Sequence, residues 1–153
     1  EVRAADFARR LRELGLTDVS VDAEGNVIGV RAGTGDGPRL VLAAHLDTVF
    51  PAGTDVKVRR DADRYLGPGI SDNARGLAVL LQILRTLNEQ GIGTVGDLLF
   101  VGTVGEEGNG DLRGCKALFA TDKAIDGFIA VDGVAVTRIL ANATGSRFID
   151  PQT

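Results

Sequence analysis

Three short and nearly unbroken apolar runs constrain this chain more than any other feature. They are Leu40-Val41-Leu42-Ala43-Ala44, Leu98 to Val104, and Phe128-Ile129-Ala130-Val131. A strand with one wet face alternates apolar and polar residues, so a run apolar at almost every position suits a strand covered on both faces. Between the first two runs, Leu77, Leu80, Leu81, Leu84 and Leu87 keep a helical period, which predicts a helix from Ala74 to about Leu87. A shorter helix is expected near Leu112–Phe119, before the third run. At the front, Phe7, Leu11 and Leu14 mark one face of an amphipathic helix over residues 2–14, and Gly15 is placed to end it. Strands alternating with helices predict an α/β fold, with a mostly parallel sheet and helices on both faces.

The remaining segments read as connections or edges. Val19 and Val21 alternate with polar residues, and Glu24-Gly25-Asn26 turns the chain into Val27-Ile28-Gly29-Val30, as in a hairpin. Glycine and proline punctuate Pro51–Ile70, with a short strand expected at Val56/Val58 and a further one at Val136–Ala141. Asp72 stands near the start of the long helix, where its side chain is expected to accept backbone N–H groups.

Composition excludes several functions. With 153 residues, 44% hydrophobic and 25% charged, the chain is of a size to bury one ordinary core. A net charge of −4 offers no basic footprint for nucleic acid or an anionic membrane. No run is long enough to span a bilayer and no signal-peptide pattern is present, so a cytoplasmic protein is expected. The one cysteine, Cys115, excludes an internal disulfide and a thiolate metal cluster, and reads as a small, partly buried filler. Gly33-Thr34-Gly35-Asp36-Gly37 lacks the lysine of a phosphate loop and reads as a plain turn.

In an open α/β sheet, reactive groups collect beyond the carboxyl ends of the strands. The first buried run leads directly into His45-Leu46-Asp47, the second into Gly105-Glu106-Glu107-Gly108, and the third into Asp132-Gly133; Asp72 precedes the long helix. Five carboxylates (Asp47, Asp72, Glu106, Glu107 and Asp132) would then crowd one rim beside the chain's one histidine. Each of these residues alone would be an ordinary cap or solvated loop group. Together their charges would repel strongly, and divalent cations remove that repulsion. Imidazole with carboxylate oxygens is a donor set for zinc, and less selectively for manganese or cobalt.

The segments His45-Leu46-Asp47-Thr48-Val49-Phe50-Pro51, Gly69-Ile70-Ser71-Asp72-Asn73-Ala74-Arg75-Gly76, Gly105-Glu106-Glu107-Gly108 and Val131-Asp132-Gly133 resemble the co-catalytic zinc peptidases. That family includes carboxypeptidase G, peptidase T, the aminoacylases and the acetylornithine and succinyl-diaminopimelate deacetylases, and the motifs look most like its di- and tripeptidases. The resemblance implies a three-layer αβα sandwich of the phosphorylase/hydrolase type. It also implies a two-zinc hydrolase acting on a small peptide or N-acyl amino acid. His45 and Asp132 look like ligands of one zinc, Glu107 like a ligand of the other, and Asp72 like the carboxylate bridging both, followed by a cis peptide. Asp47 looks like the carboxylate that orients the imidazole, and Glu106 like the general base.

Two departures accompany this resemblance. Relatives complete the second zinc site with a histidine that this chain lacks. They also insert a lid domain, which supplies the dimer surface, after the segment matching Gly145-Ser146-Arg147. Residues 1–147 are therefore expected to be the amino-terminal part of a truncated catalytic domain, with 148–153 an unmatched tail and a homodimer forming through the missing lid. Weak metal occupancy and little turnover are expected of these residues alone. Two other readings stand beside the exopeptidase: a non-catalytic binding or assembly relative, and a deacetylase of an N-acetylated amino acid or diamine.

Overall fold

The computed structural model describes residues 2–133, 137 and 139–141. Helix α1 (Val2–Glu13) comes first, followed by strands β1 (Asp18–Val21), β2 (Val27–Arg31) and β3 (Leu40–His45). A small hairpin, β4 (Arg59–Asp61) and β5 (Arg64–Leu66), precedes a wide turn at Ile70–Ala74 and helix α2 (Arg75–Glu89). Then come β6 (Leu98–Thr103), α3 (Arg113–Thr121) and β7 (Gly127–Ala130). The five-stranded sheet has the order β1-β2-β6-β3-β7.

The three apolar runs form its parallel heart. β3 pairs with β6 from Leu40↔Leu98 to His45↔Thr103, and with β7 from Leu40↔Gly127 to Ala43↔Ala130. Side-chain alternation sorts each strand onto two faces. Ala44 and Phe100 join Phe7, Leu11, Leu77, Leu80 and Leu84 of α1 and α2 on one side. Val41, Ala43, Leu99 and Val101 meet Leu118 of α3 on the other. This is the expected three-layer arrangement.

The sheet is more mixed than expected, since β2 runs antiparallel to both β1 and β6. The tight turn after Val21 is the reason. Asp22 Oδ1 accepts the N–H groups of Glu24, Gly25 and Asn26, and Gly25 adopts φ +100°, which reverses the chain within a few residues. A hairpin can only enter a sheet with its two strands opposed.

α1 ends as expected at Gly15 (φ +92°), where the Leu16 N–H reaches back to Leu11 O at 3.1 Å. The strand expected at Val56/Val58 does not form. Pairing occurs just beyond it, Arg59↔Leu66 to Asp61↔Arg64, about a turn in which Ala62 takes φ +51°. Val56 and Val58 are 59% and 55% exposed and have no partner strand. Most of the strand expected at Val136–Ala141 lies outside the described residues, and Thr137 and residues 139–141 carry no strand. Among the described residues, no helix is long and apolar enough to cross a membrane.

Candidate active site

Parallel register carries three strand ends to one rim, and the candidate residues stand there. His45 closes β3 and is 3% exposed. Its Nδ1 faces the main-chain carbonyl of Asp47 at 3.0 Å. A carbonyl only accepts, so this contact places a ring proton on Nδ1 and leaves Nε2 facing the opposite way. Nε2 points at carboxylates. Asp72 Oδ1 lies 2.8 Å away, and Glu106 Oε2 and Asp132 Oδ2 each lie 3.9 Å away. A carboxylate oxygen 2.8 Å from a ring nitrogen needs a proton or a metal cation between them.

Two groups of donor atoms, each mutually within 4.8 Å, share that imidazole: His45 with Asp72 and Asp132, and His45 with Glu106 and Glu107. The first is a nitrogen and two carboxylate oxygens, a set that fits zinc and leaves coordination positions free. The resemblance expects Asp72 and Glu107 to share the second metal. Among the described residues they do not stand in a common group of three.

The loop bearing Glu106 and Glu107 is held from two directions. Asp47 Oδ2 accepts the Glu107 N–H at 3.0 Å, and its Oδ1 accepts the Glu106 N–H at 3.3 Å. The Asp47 carboxylate, expected to orient His45, sits 3.8 Å from Nδ1, farther than the main-chain carbonyl of the same residue at 3.0 Å. From below, Asn26 is fully buried. Its Oδ1 accepts the Val104 N–H at 3.0 Å, and its Nδ2 donates to Gly114 O at 3.0 Å and to Asp22 Oδ2 at 2.6 Å.

Around Asp72 the chain makes a wide turn, and the Asp72–Asn73 peptide is cis. The expected helix cap belongs to the next residue, because Asp72 turns its side chain toward His45. Asn73 Oδ1 accepts the Gly76 N–H at 2.9 Å, while Nδ2 donates to Val131 O at 2.9 Å. Asn73 and Asn26 were not among the residues singled out from the sequence. An asparagine beside a glycine or an aspartate reads as turn punctuation, and only burial reveals a tie between distant segments.

Burial is the main influence that raises the Glu106 carboxyl above its usual range. Repulsion from Asp132, Glu107 and Asp47 acts the same way, against the pull of His45. A carboxylate so placed is a stronger base than one in water. Beside it lies a cavity of about 270 Å³ whose walls include Ala43, Thr103, Leu112, Cys115 and Phe128. Burial also pushes the half-buried Cys115 thiol up, as the nearby Glu106 and Asp47 carboxylates do, against a hydrogen bond with Thr103. That environment disfavours a thiolate nucleophile.

Residues 26–146 match peptidase family M28. The chain belongs to that family. Carboxypeptidase G2 of Pseudomonas sp. (strain RS-16) is 35% identical over an alignment of 104 residues, which covers 63% of this chain and 25% of that protein. A Staphylococcus aureus tripeptidase structure is 32% identical with a TM-score of 0.68, covering 86% of this chain and 37% of its own. The aminopeptidase PepT structure from Bacillus cereus is 29% identical with a TM-score of 0.69, at the same coverage of 86% and 37%. The chain thus spans only a quarter to two-fifths of the length of these relatives.

Proposed function

We propose that the full-length protein is a zinc-dependent exopeptidase or deacylase that hydrolyses the amide bond of a small peptide or N-acyl amino acid. The observation that carries this reading is the buried His45 Nε2, with three carboxylates facing it within 3.9 Å. His45, Asp72 and Asp132 would hold one zinc ion. Glu107 would contribute a carboxylate to a second. When bound, zinc supplies a Lewis acid that polarises the scissile carbonyl and acidifies water.

The chain's own residues do the rest. Glu106, with its raised affinity for a proton, accepts one from the attacking water and returns it to the leaving amine. Asp47 fixes the two backbone N–H groups that aim Glu106 and Glu107, and its carbonyl holds the imidazole in the tautomer a ligand needs. Membership in a peptidase family supports the reaction class, and the tripeptidase and carboxypeptidase relatives support a short peptide or acyl amino acid as substrate.

Glu106 also favours catalysis over a purely binding or assembly role. A binding module gains nothing from a proton acceptor beside its cation. The test is hydrolysis of tripeptides and N-acyl amino acids by the full-length protein, with bound zinc measured in parallel. Activity lost on chelation and restored by zinc is expected. A protein that binds no zinc, or that hydrolyses equally well without it, would overturn the proposal.

A further inference from the structure

Asp72 and Asp132 must approach one another to serve a single cation, yet neither side chain is held by the core. Their side chains are 64% and 41% exposed. The hydrogen bonds on their carboxylates run to His45 in one case and to the neighbouring Gly133 N–H in the other. The distance between them is therefore governed by their backbones. His45 and Asp132 ride on paired strands, and the ladder extends to the Val131 N–H donating to Ala43 O at 2.7 Å. Asp72 has no such support. It ends a long exposed connection whose only hairpin, β4–β5, is exposed throughout.

Among the described residues, one side chain spans this gap. Asn73 directly follows Asp72, and its Nδ2 donates to the carbonyl of Val131, which directly precedes Asp132. Asn73 is 1% exposed, so the bond is shielded from competing water. Its other end caps α2 through the Gly76 N–H. A Cβ on residue 76 would run into both Asn73 Oδ1 and the Val131 carbonyl, so glycine at that position belongs to the same junction.

We propose that Asn73 is a positioning residue, a buried strut that sets the separation of Asp72 and Asp132 and so the zinc affinity of the set they form with His45. This rests on the reading of that set as a zinc site. Groups that orient metal ligands typically change affinity about ten- to a hundredfold when lost.

The experiment is zinc titration of the full-length protein against a chromophoric chelator, with thermal unfolding recorded in parallel. Asn73→Ser keeps a hydroxyl able to cap the Gly76 N–H but is too short to reach Val131. It is expected to unfold cooperatively while binding zinc at least about tenfold more weakly. Asn73→Gln retains both functional groups one methylene further out, and the same weakening is expected should the serine variant fold poorly. Leu84→Ala, in the core of α2 and away from the site, is expected to lower Tm without changing zinc affinity.

Unchanged zinc affinity in either Asn73 variant would overturn the inference. So would an equal loss in Leu84→Ala, because the effect would then be general loosening. A wild-type protein that binds no zinc would instead remove the reading of the site, and this inference with it.

Discussion

The carboxylate of Asp47 accepts the Glu107 N–H at 3.0 Å, while the carbonyl of the same residue faces His45 Nδ1, also at 3.0 Å. One residue thereby fixes both the imidazole proposed as a metal ligand and the loop that carries the proposed base. Asp47→Asn would keep the carbonyl contact but turn an amide NH2 toward one of two backbone donors. The expected outcome is a fall in kcat of about tenfold to a hundredfold with zinc still bound. Steady-state kinetics alongside metal analysis of the purified variant check it.

Glu106 stands 3.9 Å from His45 Nε2 without belonging to the His45–Asp72–Asp132 group. Replacing it by glutamine preserves shape and removes basicity. Glu106→Gln in the full-length protein is expected to lower kcat by about a hundredfold or more, with KM and zinc content little changed. Undiminished hydrolysis would remove Glu106 from the mechanism and favour a binding role.

On α1, Asp6 contacts Arg10 at 2.7 Å and pairs with Arg9, and these hydrogen bonds, Arg10 first, hold its carboxyl below the usual value of 3.8. A lowered folded value means stabilisation that is fully present above the unfolded value and lost as pH falls through the folded one. Asp6→Asn should therefore unfold at lower urea than wild type at neutral pH, and the difference should close in acid, as pH falls through the lowered folded value. Because the pair is exposed, the neutral-pH difference should be small and shrink further in high salt. A difference that persists in acid would show that the ion pairs are not its source.

Leu80 is fully buried where α2 packs on the sheet against Phe100. Leu80→Ala removes the atoms that fill this layer and is expected to cost about 2–5 kcal/mol, read from urea unfolding. A cost below about 1 kcal/mol would mean that α2 is not seated on the sheet as described.

Much of this architecture is readable in the chain because it depends on periodicity. Strands apolar at every position need two covered faces, and β3 and β6 have them, whereas Ile129 on the edge strand β7 is 53% exposed among the described residues. A leucine at each turn makes α2. The polar residues that follow those strands reach one rim because parallel strands share a direction, which is why His45, Glu106 and Asp132 could be grouped beforehand. Other features leave no periodic trace. The reversal of β2 follows from Asp22 folding onto the next backbone amides. Pairing at β4–β5 shifted past Val56 and Val58 because a local turn, and not hydrophobicity, chose the register.

What the sequence determined alone, then, is a layered α/β fold with acidic groups and one imidazole gathered at its strand ends, because hydrophobic period and chain direction are local properties. Only the tertiary structure decided how those groups are held: the imidazole by the Asp47 carbonyl, the Glu106–Glu107 loop by the Asp47 carboxylate, and the neighbouring backbone by the buried amides of Asn26 and Asn73. Hydrogen bonds between segments 58 to 88 residues apart depend on where the packed layers bring them, and no local pattern encodes that.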